Sequence, residues 1–435
     1  MPTSDEPIRQ TKTRLTKNQI WGFGAAWGGF ALDGMDSFIF ALVLVPALHD
    51  LLPHSGITPD RANTGFYGSV LFALFLVGWG LSFVWGPIAD RFGRVRTLTF
   101  TIICFSLFTF LGALATNVWQ LAVFRLLAGV GIGGEWSMGG TFVAEEWPED
   151  RRKTAAGLMH TGYYFGVFLA AIANYTIGAR YGWRAMFAVG GTPALLVALI
   201  RYGVKEPARW QKKLAQVGQS WTMLRAFLAL FSREYRRRTV LNSLYLLVSI
   251  TGLWAGSVYV PAAITYLATS SGFDQAAAGR LASFGTMLLA TGTILGCIAL
   301  PTLAERLGRR LTLAIYFALM FICISLGFGF VFYLHSGAVF WFLVCLFFLG
   351  VGGANFAMYT LWLPEQYGTE CRASAFAFST SVGRFVGAGI TFLVGAGISH
   401  FHSIGTPVAL TSVAFLVGML LLPFGKETKG ECLPA

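Results

Sequence analysis

The sequence predicts an all-α membrane protein: twelve transmembrane helices in two pseudo-symmetric bundles of six. Three observations predict it. Hydrophobic residues make up 55% of the 435-residue chain and charged residues only 12%, about half the charged share of a soluble globule. Apolar runs of roughly the 20 residues that a bilayer-spanning helix needs recur along the whole chain. A charge-dense island, Gly86-Pro-Ile-Ala-Asp-Arg-Phe-Gly-Arg94, returns half a chain later as Pro301-Thr-Leu-Ala-Glu-Arg-Leu-Gly-Arg309. A sequence that repeats itself at half its length is built from two related halves.

Read in order, a polar N-terminal tail (1–20) precedes six apolar runs at 21–48, 64–89, 97–116, 119–145, 154–178 and 184–204. A basic linker (205–238) follows, whose middle, Trp221 to Phe231, has the pattern of an amphipathic surface helix. The second set lies at 239–268, 280–304, 311–334, 337–363, 374–399 and 405–425, and residues 426–435 form a C-terminal tail. Residues 1–18 have no apolar core, so no signal peptide is expected. Lys and Arg concentrate on the tails, the linker and alternate loops. The opposite side holds only Arg61, Arg180, Arg184 and Arg280. That asymmetry predicts both termini in the cytoplasm and a multi-pass protein of the cell inner membrane.

Composition also excludes functions. The +12 net charge is spread over short segments between apolar runs, which argues against a nucleic-acid partner. The six cysteines form no CxxC pair, so no metal site is expected. No nucleotide-binding or hydrolytic constellation is present, so the chain is not expected to be an enzyme or an ATP-driven pump.

The informative residues are ionisable groups at mid-bilayer, where a charge costs about 2.5–3.5 kcal/mol on the insertion scale and so has a partner or a function. Asp33 and Asp36 fall in span 1, Glu135 in span 4 and Arg384 in span 11. All lie within about a turn of the midplane at ~1.5 Å rise per residue. Such a carboxylate can load a proton on one side and release it on the other. Arg384 keeps its charge, and its planar fork fits a carboxylate. The pattern predicts proton-coupled transport of a small organic anion. Arg384 is the anion anchor, and Asp33, Asp36 and Glu135 are the candidate proton sites. The proton is then the coupling ion, with no cofactor, and the chain is expected to act as a monomer in the lipid bilayer. Alternatively, Glu135 is a static partner of Arg125 or Arg384. Tyr163, Tyr164, Trp254, Ser257, Asn355 and Tyr359 bring polar handles to apolar helices and are candidate pocket residues. His160 lies nearer the cytoplasmic end of span 5 and is read as a packing residue.

The repeated loop motif and the six-plus-six plan resemble the major facilitator superfamily, and the resemblance covers the whole chain. Other segments match it: Glu145-Glu146-Trp-Pro148 before Arg151-Arg152, Glu206-Pro-Ala-Arg209-Trp210, Pro364-Glu365 before Arg372, and Glu427-Thr-Lys-Gly430. These look like the branch of sugar porters, organic-ion transporters and organic-acid:proton symporters. Asp33-Gly-Met-Asp36 is similar to the first-span signature of the aromatic-acid:proton symporters. Gly133-Gly-Glu135-Trp136 is similar to the sialate and lactate:proton symporters. The resemblance implies two halves that rock about a central site, opening it to each side in turn. A sugar or polyol:proton symporter and an organic-anion exchanger are the alternatives, and a non-transporting sensor would need a longer tail.

The loop residues have a direct physical reading as a cytoplasmic gate. Asp90 is expected to pair with Arg94, and Arg94 with Glu145 or Glu146 on the next cytoplasmic loop. Gly86, Arg91 and Gly93 complete the first copy. Glu305, Arg306 and Arg309 form the second copy, with Glu365 and Arg372 on the loop beyond it.

Overall fold

The structure is a computed structural model that describes residues 14–192, 204–217, 223–257 and 259–434. Among these residues every regular element is helical. The first half folds as α1 (Lys17–Leu51), α2 (Arg61–Leu81), α3 (Trp85–Phe92), α4 (Arg94–Ala113), α5 (Val118–Glu146), α6 (Glu149–Ala173) and α7 (Ala179–Gly190). The linker carries α8 (Ala208–Val217) and α9 (Met223–Ala229). The second half folds as α10 (Arg236–Ser257), α11 (Val260–Ser270), α12 (Gln275–Leu307), α13 (Arg309–Gly329), α14 (Ala338–Gly353), α15 (Asn355–Trp362), α16 (Arg372–Phe401), α17 (Gly405–Leu410) and α18 (Val413–Leu421).

Nine helical segments among the described residues are long and apolar enough to cross a membrane. The other three expected spans differ from them for separate reasons. Helix α5 carries Arg125, Glu135, Glu145 and Glu146, which lower its hydropathy. The sixth span runs from α7 into residues outside the description, including Arg201. The seventh is divided into α10 and α11. The expected tenth span is also broken, at Ala354, directly after Gly352-Gly353. In the linker, Trp221 lies outside the described residues, and the amphipathic helix is the seven-residue α9, with Leu224 and Leu228 exposed. Helix α8 was not anticipated. It anchors the linker by donating the Trp210 indole N–H to the Asp90 carbonyl at 2.9 Å.

The two halves meet along two seams, α2 against α16 and α6 against α12. At the end of the first seam that carries the repeated motif, Gly86 lies so close to α16 that a Cβ there would stand 2.7 Å from Ser374 Cα. Asp90 crosses the same seam. It accepts from the backbone N–H groups of Ser374 (2.8 Å) and Ala373 (3.3 Å), the otherwise unsatisfied donors that open α16.

Around this contact the duplicated motifs build two matching clusters. Arg94 holds Glu145 bidentately, at 3.0 Å twice, and reaches Asp90 at 3.1 Å. Arg309 holds Glu365 in the same way, at 3.0 and 2.9 Å, and reaches Glu305 at 2.8 Å. Each carboxylate then meets an arginine of the other half: Glu145 meets Arg372 at 3.1 Å, and Glu365 meets Arg152 at 3.5 Å. Lys153 joins Glu305 across the seam at 2.7 Å. The face that carries the repeated motifs is therefore shut by reciprocal pairs, nearly all buried.

Three expected gate residues sit elsewhere. Glu146 accepts instead from Asn18 at 2.9 Å within its own half, because Glu145 occupies the inward position next to Arg94. The Arg306 side chain is exposed and Arg91 partly so, and neither enters an ion pair among the described residues. Their motif partners Arg94 and Arg309 point inward in their place.

Each cluster is braced by a carboxylate from after the last helix of its half. Glu206 accepts from the N–H groups of Arg94 (2.7 Å), Val95 and Arg96 (3.1 Å each), capping α4. Glu427 accepts from Arg309 (2.9 Å) and Arg310 (3.2 Å), capping α13. Gly93 and Gly308 hold φ of +114° and +89°, and a Cβ at either would collide with the capping carboxylate. Glycine is required there on both counts.

Two predictions follow from these contacts. Glu145→Gln leaves Arg94 and Arg372 buried without their shared counter-charge, a loss of about 3–5 kcal/mol from the shut state. Pulsed EPR between labels at positions 96 and 306 is then expected to show a population with the motif-bearing ends apart, absent from the parent protein. The two caps are expected to respond oppositely to pH. Burial lifts the Glu206 carboxyl above its ordinary range, against the pull of three backbone amides. Glu427 is held below that range by four backbone amides, despite burial. A raised folded pKa gives stability that is lost as pH rises, and a lowered one gives stability that is lost as pH falls. Relative to the parent, E206Q should therefore gain in Tm between about pH 4 and 7, while E427Q should lose.

Candidate functional site

At mid-membrane the expected charged residues come together, and their partners distinguish them. Asp33 and Asp36 of α1, Arg125 and Glu135 of α5, and Arg384 of α16 are each no more than 1% exposed. Asp36 is ion-paired: Arg125 reaches it at 3.2 Å, and the same guanidinium nitrogen donates to Thr109 at 3.2 Å. The rings of Phe40, Phe75 and Phe187 surround that guanidinium at 4.8–5.3 Å. The alternative expectation, Glu135 as the static partner of Arg125, fails geometrically. Ten residues on one helix separate the two by about 15 Å.

Asp33 stands one helical turn from Asp36 in a different environment. Among the described residues neither of its carboxylate oxygens has a hydrogen-bond partner. Glu135, Asp36 and Arg384 are its electrostatic neighbours. Glu135 accepts from the Thr101 hydroxyl at 2.8 Å through one oxygen, and its other oxygen has no partner. That second oxygen faces Gly29 of α1, where a Cβ would stand 2.4 Å away. Glycine at 29 is what lets the carboxylate sit between α1, α4 and α5.

Arg384 faces these carboxylates from the other half. Its guanidinium lies 3.8 Å over the Trp79 ring, a desolvated cation–π contact worth about 2 kcal/mol. One terminal nitrogen donates to the Thr380 carbonyl a turn back on α16, and Nε has no partner. Among the described residues no carboxylate lies within ion-pairing distance of it. A guanidinium in this setting retains an unmet demand for an anion.

Aromatic side chains wall the same level. Trp136 donates across the halves to the Thr360 hydroxyl at 2.8 Å. Phe30, His160, Phe356 and Phe376 surround it with centroids 5.4–6.2 Å away. His160 thus belongs to this wall, parallel to Phe356, with Nδ1 unpartnered. Tyr163 packs on Phe30 at 5.2 Å and has Asp33 and Arg384 as electrostatic neighbours. Tyr164 packs on Tyr163 at 5.4 Å and lies beside Thr293 of α12.

Asn355 stands at the break between α14 and α15. Its amide donates to the Gly352 carbonyl at 2.9 Å and its oxygen has no partner. Tyr359 differs: its hydroxyl donates to the Tyr245 carbonyl at 2.8 Å and meets Ser249 at 2.7 Å, so its one donor is committed to helix packing. The side chains of Trp254 and Ser257 lie outside the described residues. Trp79, Thr101 and Phe356 were not anticipated, since nothing in their sequence context marks them. Trp136 carried a signal in its position directly after Glu135.

Comparison with known proteins agrees with this architecture. A family model described as the Major Facilitator Superfamily matches residues 26–391. A probable 4-methylmuconolactone transporter of Cupriavidus pinatubonensis is 31% identical, covering 94% of this chain and 90% of that protein. The cis,cis-muconate transport protein of Acinetobacter baylyi is 29% identical, covering 85% and 86% of the two chains. Among solved structures, the proton:xylose symporter XylE of E. coli, bound to 6-bromo-6-deoxy-D-glucose, superposes with a TM-score of 0.76. That match covers 96% of this chain and 98% of XylE at 19% identity, a likeness of fold. The chain belongs to the Major Facilitator Superfamily, and it is a membrane transporter rather than an enzyme.

Proposed function

We propose that the protein is a secondary active transporter that takes up a small organic acid anion together with a proton by alternating access. It works in the bacterial inner membrane, with both termini in the cytoplasm. The observation that carries this reading is Arg384, a buried guanidinium stacked on Trp79 with no carboxylate in contact among the described residues. A neutral sugar would leave that charge unanswered. The substrate carboxylate is proposed to take the Arg384 fork, and its carbon skeleton to lie against the aromatic wall. Flat unsaturated or aromatic acids suit such a wall, which accords with relatives named for muconolactone and muconate. Asp33 and Glu135 are the proposed proton sites. Both keep unpartnered oxygens, whereas Asp36 is engaged by Arg125.

Uptake into proteoliposomes under an inward proton gradient tests the proposal, with cis,cis-muconate, benzoate, lactate and xylose as substrates. Gradient-driven accumulation of an acid is expected, and accumulation of xylose alone would overturn the reading. Arg384→Ala is expected to weaken the anion by about 2–5 kcal/mol, at least 30-fold, with the fold retained. Asp33→Asn or Glu135→Gln should keep counterflow of the anion while losing pH-driven accumulation. Asp36→Asn should instead lower Tm, because it strands Arg125 in the core at a cost of about 3–5 kcal/mol.

A further inference from the structure

We propose that the cytoplasmic end of the second half carries a binding site for the headgroup of an anionic phospholipid. A cavity of about 430 Å³ opens there between the start of α10 and the segment after α18. Arg233, Arg237, Arg238 and Lys426 line it, with Glu234 as the one carboxylate in its wall. Arg237 and Arg238 donate to the carbonyls of Phe424 (3.3 Å) and Gln366 (2.8 Å), contacts that fix the side chains and leave their charge in place. Lys426 is paired with Glu431 at 2.6 Å. Among the described residues no carboxylate lies within ion-pairing distance of Arg233, Arg237 or Arg238.

Basic residues on the cytoplasmic side are expected of any such protein, as topology signals. Topology does not require a cavity, and the matching place in the duplicated half is built differently among the described residues. Lys205 precedes the capping Glu206 as Lys426 precedes Glu427. There Asn18 fills the gap, accepting from the Lys205 N–H at 2.8 Å and donating to Glu146 at 2.9 Å, and Gln19 donates to the Glu146 carbonyl at 2.8 Å. The first half is sealed by neutral side chains and a carboxylate, while its counterpart is open and cationic.

The surroundings identify the occupant as a lipid. Phe424, Leu420 and Val240, beside the cavity on the segment after α18, on α18 and on α10, are 59%, 74% and 54% exposed. Phe424 lines the cavity itself, and Leu420 and Val240 are exposed on the helices that carry its walls. A phosphodiester in the cavity with acyl chains along those side chains satisfies both surfaces, and basic pockets on the cytoplasmic side suit acidic headgroups.

The test uses the full chain purified in detergent. It is titrated separately with dioleoylphosphatidylglycerol, dioleoylphosphatidylcholine and inorganic phosphate, and followed by native mass spectrometry and Tm. The parent protein is expected to bind phosphatidylglycerol at least 10-fold more tightly than phosphatidylcholine. Arg233→Gln with Arg237→Gln should abolish that preference. Arg96→Gln with Lys212→Gln, which removes as much charge from exposed cytoplasmic positions elsewhere, should keep it. Arg233→Gln alone, at an exposed residue, covers the case in which the double variant misfolds, and should weaken the preference. Equal binding of the two lipids, an unchanged preference in the Arg233 variants, or equal stabilisation by phosphate alone would overturn the proposal.

Discussion

A charge removed from water must be answered by another group, and that constraint organises the whole molecule. Burying an ion costs several kcal/mol even after relaxation, and the cost is recovered only with a well-placed counter-charge and full hydrogen bonding. At the face that carries the repeated motifs the cost is met: Glu145 and Glu365 each take two arginines, one from each half. At the midplane it is met for Asp36 and Arg125 and left partly unmet for Asp33, Glu135 and Arg384. The first set of contacts explains why the halves hold together on one side. The second is what the proposed anion and proton would answer.

Duplication supplies the parts, and departures from it supply the function. The motif loops, the glycines at positive φ and the capping carboxylates recur in both halves with nearly the same geometry. The midplane has no such repeat, since the carboxylates Asp33, Asp36 and Glu135 stand in the first half and Arg384 in the second. A site divided in this way is assembled only when the halves approach. Anything that binds Arg384 and lies against Trp136 or Phe30 necessarily bridges them.

Much of this was legible in the sequence. Run length located the nine spans that the described residues show, because hydrocarbon permits few structures other than helices. The midplane charges could be listed from depth alone. Pairing could not be read, because it depends on which faces of α1, α4, α5 and α16 turn towards one another. Asp33 and Asp36 look equivalent three residues apart, yet Asp36 meets Arg125 and Asp33 meets no donor among the described residues. Trp79 was invisible for the same reason, as an apolar residue in an apolar run that gains meaning only under Arg384. The break at Ala354 was hidden because Gly352-Gly353 is compatible with a continuous membrane helix. The linker helix α8 was missed because its short polar pattern resembles a solvated loop, and its anchor is the single indole of Trp210.

Reciprocal buried pairs at the gate also limit how stable the shut state can be. If the motif-bearing ends separate as proposed, Glu145, Glu365, Arg152 and Arg372 regain water, so the open state would recover in hydration much of what it loses in ion pairs. A buried ion pair therefore specifies a geometry more than it deepens a minimum. A lock of hydrophobic surface of the same area would have no comparable compensation and would hold more firmly. The difference between the two states can then lie within a few kcal/mol, the range over which a ligand's differential affinity shifts populations. On the proposed reading, an anion that met Arg384 better in one state than in the other would have enough leverage to move this lock. The same charges that seal the motif-bearing side would then keep it releasable.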